Sequence, residues 1–177
     1  AAAERAKWGT RPSPQRGQTG NKLSGRGIAY AQRRGTRVAI IAEVEVERSS
    51  GRIWARKMTV AHDCGQIINP DGLVKCIEGN IVQGISRTLL EQVAFDRKTV
   101  TSVDWVTYPI LDITETPGEI DVVLINHPEI APSGAGEPSS RPIAAAIANA
   151  VFDATGVRIR RVPLTPEQVK AALTQAI

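Results

Sequence analysis

Hydrophobic and polar positions divide this chain into recognisable segments before any chemistry is considered. Residues 38–47 begin as an apolar run and then alternate Val44, Val46 with Glu43, Glu45 and Glu47, the period of a strand with one buried and one wet face. Ser49-Ser50-Gly51-Arg52 reads as a hairpin turn. From residue 53 the chain returns as a strand in which Ile53, Ala55, Lys57 and Thr59 alternate with Trp54, Arg56, Met58 and Val60. A shorter strand is expected over residues 28–31, and another over residues 120–125.

Residues 71–92 change period. Leu73, Ile77, Ile81, Ile85 and Leu89 recur every four residues, as on the buried stripe of a helix that starts from the Asn69-Pro70-Asp71-Gly72 turn. Gly79 and Gly84 interrupt it, each costing about 1 kcal/mol against Ala, so each needs a reason such as close approach of the backbone to something else. Residues 93–102 suggest a second hairpin around Asp96-Arg97-Lys98, and residues 103–118 are irregular. A helix is expected over residues 139–155, capped by Ser139 or Ser140 and closed by Gly156. A last helix opens at Thr165, with Gln168 at the capping-box position. The first residues read as the final turns of a helix ended by Trp8-Gly9, and residues 9–25 as an extended connector. A helix that opens at residue 1 without a cap suggests a chain cut from something longer. The expected class is therefore α+β, a mixed or antiparallel sheet with packed helices. Residues 1–24 form a helix end and connector, and residues 25–177 the domain proper.

Composition narrows the chemistry. The 177 residues are 42% hydrophobic but only 4% aromatic, so aliphatic side chains must fill the core. Residues 1–57 hold 13 Lys/Arg against 4 Asp/Glu, and the remainder 9 against 14. Such a basic third could hold an anionic cofactor or partner. Its basic run Arg26, Arg33, Arg34, Arg37 holds a single aromatic, Tyr30, short of the interleaved aromatics of a nucleic-acid stacking surface, so nucleic acid is not expected. No apolar run reaches the roughly 20 residues of a membrane span. Two cysteines, Cys64 and Cys76, suggest no disulfide scaffold and fit a reducing, cytoplasmic compartment, with export of an assembled enzyme left open.

Three clusters could carry chemistry. Gly134-Ala135-Gly136-Glu137-Pro138 places a carboxylate after two glycines and before a helix; by composition alone it is either a site residue or a plain cap on the helix dipole. Gln83, between Gly79 and Gly84, could offer an amide to a ligand or be an exposed side chain on a bent helix. His62-Asp63-Cys64 tempts a metal reading, but zinc needs three or four protein ligands and none lies near in sequence, so a strand-end turn is preferred and no metal ligand is assigned.

Taken together these segments resemble the molybdopterin-binding large subunit of the xanthine oxidase family, in particular bacterial isoquinoline 1-oxidoreductase beta subunits and their aldehyde and nicotinate dehydrogenase relatives. The matching stretches, in family order, begin with Gly25-Arg26-Gly27-Ile28-Ala29, Asp63-Cys64-Gly65, Ile68-Asn69-Pro70-Asp71-Gly72 and Ile77-Glu78-Gly79-Asn80-Ile81-Val82-Gln83-Gly84. They continue with Asp104-Trp105, Tyr108-Pro109-Ile110, Gly134-Ala135-Gly136-Glu137-Pro138 and Ala144-Ala145-Ala146-Ile147-Ala148-Asn149-Ala150. Three positions depart from the family: Cys76 stands where many relatives carry Gln, Asn80 where many carry Gly, and Ala135 replaces the usual Val.

The resemblance implies an enzyme that hydroxylates an N-heterocycle or an aldehyde with oxygen from water. Glu137 would be its general base, and Gln83, Gly134, Ala135 and Gly136 would lie against a molybdenum-molybdopterin cofactor, in bacteria the cytosine dinucleotide form. It also implies partners: the remainder of a much longer large subunit, a small-molecule substrate, and a separate [2Fe–2S] small subunit, since this chain has no cluster-ligand pattern. The isolated segment is expected neither to retain cofactor nor to turn over. The alternative is a non-catalytic binding or interaction module that uses the basic N-terminal third.

Overall fold

The computed structural model describes residues 1–175. Its centre is a four-stranded sheet of β1 (Lys22–Arg33), β2 (Thr36–Glu47), β3 (Ile53–Asp63) and β4 (Glu119–Ile125), in that spatial order. The first three form an antiparallel meander, and β4 joins β3 in parallel. The parallel join requires a crossover, and the 20-residue helix α2 (Pro70–Leu89) supplies it, followed by the long segment that precedes β4. The class is α+β, as the pattern predicted.

The strands depart from the sequence reading in two places. β1 is 12 residues long and begins at Lys22, inside the expected connector, because its register with β2 runs unbroken from Lys22↔Glu47 to Arg33↔Thr36. In β3 the strict alternation fails. Glu43 pairs with Lys57 and Val44 with Ala55, so Arg56 is an extra, unpaired residue, a β-bulge. The bulge moves the buried face from odd to even numbers. Ile53 and Ala55 precede it, Met58, Val60 and His62 follow it, and all five are buried.

One face of the sheet is covered by α2 and α4 (Ile143–Thr155). Ile77, Ile81, Ile85 and Leu89 of α2, and Ile143, Ala146, Ile147, Ala150, Val151 and Ala154 of α4, join Val38, Ile40, Ala42, Val44 and Val46 of β2 in a single core. The short helix α1 (Ala2–Arg5) packs Ala2 on the reverse face against Ile41 and Ala61. The final helix α5 (Pro166–Gln175) starts from Thr165, whose hydroxyl accepts the Gln168 N–H at 3.4 Å.

Helix α4 lies unusually close to β1. A Cβ on Gly25 would stand 2.1 Å from the Ala150 carbonyl oxygen, and one on Gly27 2.1 Å from that of Ala146. Two polar side chains one turn apart complete the seam on the outer edge of β1. Asn149 Nδ2 donates to the Ile28 carbonyl at 3.0 Å, and the buried Asp153 carboxylate accepts the Arg26 N–H at 2.8 Å. An edge strand's unpaired groups are thereby satisfied by the helix.

The helix expected over residues 139–155 is in fact two. A short α3 (Gly136–Ser140) precedes α4, with Arg141 and Pro142 between them. Neither serine caps α4. The Ser139 hydroxyl donates to the Ala135 carbonyl and that of Ser140 to the Glu137 carbonyl, because both lie inside α3. Gly156 closes α4 in the left-handed conformation at φ 77°. The expected second hairpin is reduced to one bridge, Phe95↔Val100, over a turn in which the Asp96 carboxylate accepts the Lys98 and Thr99 N–H groups. Val93, Phe95, Val103, Trp105, Val106 and Ile113 in this region expose large apolar side chains.

Gly27→Ala should therefore force α4 off the sheet and lower unfolding stability by about 1–3 kcal/mol or more, measured by chemical denaturation. Gly79→Ala is the control, since a Cβ there meets nothing within 4 Å. It should raise stability by roughly 0.5–1 kcal/mol.

Candidate active site

Glu137 sits in the first turn of α3, at the end of the loop that leaves β4. That loop is anchored by backbone. Ser133 N–H donates to the Cys64 carbonyl at 2.9 Å, Gln66 N–H to that of Ile130 at 2.9 Å, and His127 N–H to that of Gly65 at 3.2 Å. The loop therefore runs alongside the turn after β3. Gly65, at φ 80°, lets the two approach, since a Cβ there would be 2.6 Å from the Ala131 carbonyl oxygen.

Three buried side chains then hold the glycine segment from below. Thr36 Oγ1 donates to the Gly134 carbonyl at 2.7 Å. His62 Nε2 lies 3.0 Å from the Ala135 carbonyl oxygen, which also accepts the Ser139 hydroxyl at 2.9 Å. A carbonyl oxygen can only accept, so Nε2 carries the hydrogen, and the buried Nδ1 is left as a lone pair without a partner. Burial holds the His62 imidazole below its ordinary pKa, and the Ala135 carbonyl and the nearby Asp63 charge only partly oppose this.

Above this support lies an open concavity lined by Arg33, Arg34, Ser133, Gly134, Ala135, Gly136, Glu137 and Pro138. Arg33 ends β1, and Arg34 opens the two-residue turn to β2, where it adopts φ 51° and Gly35 sits against Ser133. Arg33 is in direct contact with the Glu137 carboxylate, and Arg141 lies 3.6 Å from the same oxygen. The Glu137 side chain is 60% exposed. An ion pair that open to solvent is worth about 0.2–1 kcal/mol, so the carboxylate is readily released to another partner.

The structure thus brings Gly134, Ala135, Gly136 and Glu137 to one concavity. Gln83 is exposed on α2 and lines a different depression, with Val82, Ser86, Arg87, Glu91, Ile110 and Leu111. The two are nonetheless neighbours through α2. A Cβ on Gly136 would stand 3.0 Å from both Asn80 Nδ2 and Cys76 Sγ, and Gln83 follows Asn80 by about one helical turn.

The glycines sort by what surrounds them. At Gly84 a Cβ would strike the Ile143 side chain at 2.1 Å, so the helix crossing explains that glycine. At Gly79 and Gly134 a Cβ would meet nothing within 4 Å. Nothing in the chain itself requires a missing side chain at either place, and both face open space beside Gln83 and Glu137. Among the described residues no three His, Cys, Asp or Glu side chains gather at one point.

The basic N-terminal third is not a free cationic surface. Arg5 pairs with Asp121, Arg11 with Asp153, Arg37 with Asp63, Arg52 with Glu115 and Lys57 with Glu119. Lys22 and Arg56 share Glu45, and Arg26 reaches Glu43. The asymmetry of charge along the sequence is thus partly cancelled in space by these pairs.

His62 gives this region a pH signature. Its folded pKa is lowered, so between its ordinary value near 6.5 and the folded value the unfolded chain binds the extra proton and the folded chain does not. Stability should fall as pH drops through that window. The unfolding midpoint should decline more between pH 7.5 and 5.5 in the wild type than in His62→Gln.

The family model described as a molybdopterin cofactor-binding domain matches residues 2–117. One of the nicotinate dehydrogenase subunits of Pseudomonas putida is 43% identical over 98% of this chain, which spans 15% of that protein. The beta subunit of isoquinoline 1-oxidoreductase from Brevundimonas diminuta is 31% identical over 79% of the chain, or 18% of its own length. The crystal structure of quinoline 2-oxidoreductase from Pseudomonas putida 86 superposes with a TM-score of 0.73 at 28% identity, covering 79% of this chain and 19% of that one. In the described residues no helix is long and apolar enough to cross a membrane. The chain spans less than a fifth of these relatives, and it belongs to the molybdopterin cofactor-binding domain of the xanthine oxidase family.

Proposed function

We propose that this chain forms the acid-bearing part of a molybdenum hydroxylase active site, with Glu137 as general base in the oxidation of an N-heterocycle or an aldehyde. The observation that carries the reading is the pairing of two glycines that no internal contact explains, Gly79 and Gly134, with an exposed amide and an exposed carboxylate beside them. Bare backbone at these points leaves room for a flat group to lie against Gln83 and the 134–136 segment. Arg33 and Arg34 suit the phosphate of a pterin cofactor, and the residues present therefore fit the group. The names of the relatives, a nicotinate dehydrogenase and an isoquinoline oxidoreductase, support an aromatic N-heterocycle as substrate. Their bacterial origin supports the cytosine dinucleotide form of the cofactor.

When bound, the molybdenum cofactor would supply the oxygen-transfer and electron-accepting chemistry. The chain's own contribution is positional and protolytic. Glu137 parts from Arg33 and accepts a proton at its carboxylate, a role that demands a fixed bearing towards the proton donor first and a suitable pKa second. Gln83 offers its amide N–H groups to the cofactor's edge. The backbone of residues 134–136, held from below by Thr36, His62 and Ser139, fixes the point from which the carboxylate projects.

The exposed apolar side chains between residues 93 and 113 support a seat for the remainder of the large subunit. Electrons leave through a separate [2Fe–2S] small subunit in this reading.

Glu137→Gln tests it. In enzyme that contains this chain, kcat should fall by about 10²–10⁴-fold while molybdenum content, measured by inductively coupled plasma mass spectrometry, stays at the wild-type level. Turnover within a factor of three of wild type would refute the assignment. Gln83→Ala should instead lower the retained cofactor.

A further inference from the structure

We propose that His62 is a positioning residue for Glu137, acting as a neutral imidazole that clamps the Ala135 carbonyl and so fixes the loop on which the carboxylate stands. The proposal rests on the reading of Glu137 as the base.

Two carbonyls in succession, those of Gly134 and Ala135, are turned into the protein and met there by three donors, Thr36 Oγ1, His62 Nε2 and Ser139 Oγ. All three side chains are fully buried. In a trans peptide the C=O and the following N–H point in opposite directions, and the only cis bonds in the described chain are Ser13-Pro14 and Val162-Pro163. Fixing these carbonyls inward therefore aims the N–H groups of Ala135 and Gly136 outward, towards the concavity that Glu137 lines. It also fixes the direction in which α3 departs, and with it the Cα–Cβ bond of Glu137.

His62 is an odd choice for a packing residue. Its Nδ1 is buried and has no partner, which is unfavourable for the fold, and an apolar side chain would avoid that penalty. The imidazole is explained by what Nε2 does. A charged ring could make the same bond, but it would also bury a second N–H at Nδ1 with no acceptor, so the clamp works in the neutral form. The ring comes to this place because the bulge at Arg56 turns His62 onto the core face, diagonal to Thr36, beneath the loop. Neither side chain touches the concavity, so each acts through the backbone that carries Glu137.

The test uses holoenzyme containing this chain, in the variants His62→Ala, His62→Gln, Thr36→Val and Glu137→Gln. Two quantities are read: hydrogen–deuterium exchange of the amides of residues 134–138, and kcat with KM. His62→Ala should speed exchange in that segment about tenfold or more and lower kcat about tenfold, with KM within twofold of wild type. His62→Gln, whose Nε2 amide can reach the same carbonyl, should recover most of both. Thr36→Val, which keeps the shape and removes only the hydroxyl, should loosen the Gly134 end to a smaller degree. Should His62→Ala yield no folded enzyme, the Gln and Val variants carry the comparison. Unchanged exchange and kcat in His62→Ala overturn the proposal. So does a His62→Gln protein that folds yet exchanges its 134–138 amides tenfold faster than wild type. The base reading fails separately: an active Glu137→Gln enzyme removes it, and the exchange data then decide the clamp alone.

Discussion

Helix α4 and strand β1 touch backbone to backbone. At Gly27 the gap is too small for a methyl group, and Asp153 and Asn149 stitch the helix to the strand's outer edge through the Arg26 N–H and the Ile28 carbonyl. This seam sets the position of α4, and α3 is joined to α4 by only Arg141 and Pro142. The other end of the loop is held by the turn after β3. Glu137 is therefore located between two fixed points: a helix that cannot rise from the sheet, and a turn that Gly65 allows to lie flush against it. An exposed carboxylate on a five-residue helix would otherwise have little reason to point anywhere in particular.

The sites in this molecule obey a division between surfaces that are finished and surfaces that are not. Gly25, Gly27, Gly84 and Gly136 each abut an atom of the same chain, and the lack of a side chain is explained where it stands. Gly79 and Gly134 abut nothing. The same contrast separates the core, in which isoleucines of α2 and α4 are wholly buried, from the run after α2, where Trp105 and Val106 are mostly exposed. The chain spans 15% and 18% of two of its relatives, and in the proposed reading its open surfaces face the cofactor and the remainder of the subunit.

Much of this could be read from the residues. The spacing of Ile77, Ile81 and Ile85 announced α2 because one face of that helix is buried along most of its length, the condition under which periodicity is informative. The Gly134 to Glu137 segment stood out because two glycines in three residues seldom precede a helix without a reason. What escaped was set by tertiary contacts. β1 is longer than the pattern predicts because glycines and polar residues occupy an edge covered by a helix, so its alternating burial is not matched by alternating hydrophobicity. The Arg34-Gly35 turn carried a readable signal, a two-residue connection with glycine second, and its importance lay in delivering Arg33 to the site. The parts of Thr36, His62 and Ser139 had no local signature at all. Their partners are the carbonyls of Gly134 and Ala135, about a hundred residues away for Thr36, and a carbonyl is the same in every sequence.

The bulge in β3 gives that strand a phase. Upstream of Arg56 the odd positions face the core, and downstream the even ones do. Loss or gain of a single codon near this point would leave the strand's length and composition almost untouched, yet it would exchange the inner and outer rows beyond it. Ala61 or Asp63 would then lie under the loop in place of the imidazole. At the turn of residues 48–52, by contrast, the count of residues can change without inverting the rest of the strand.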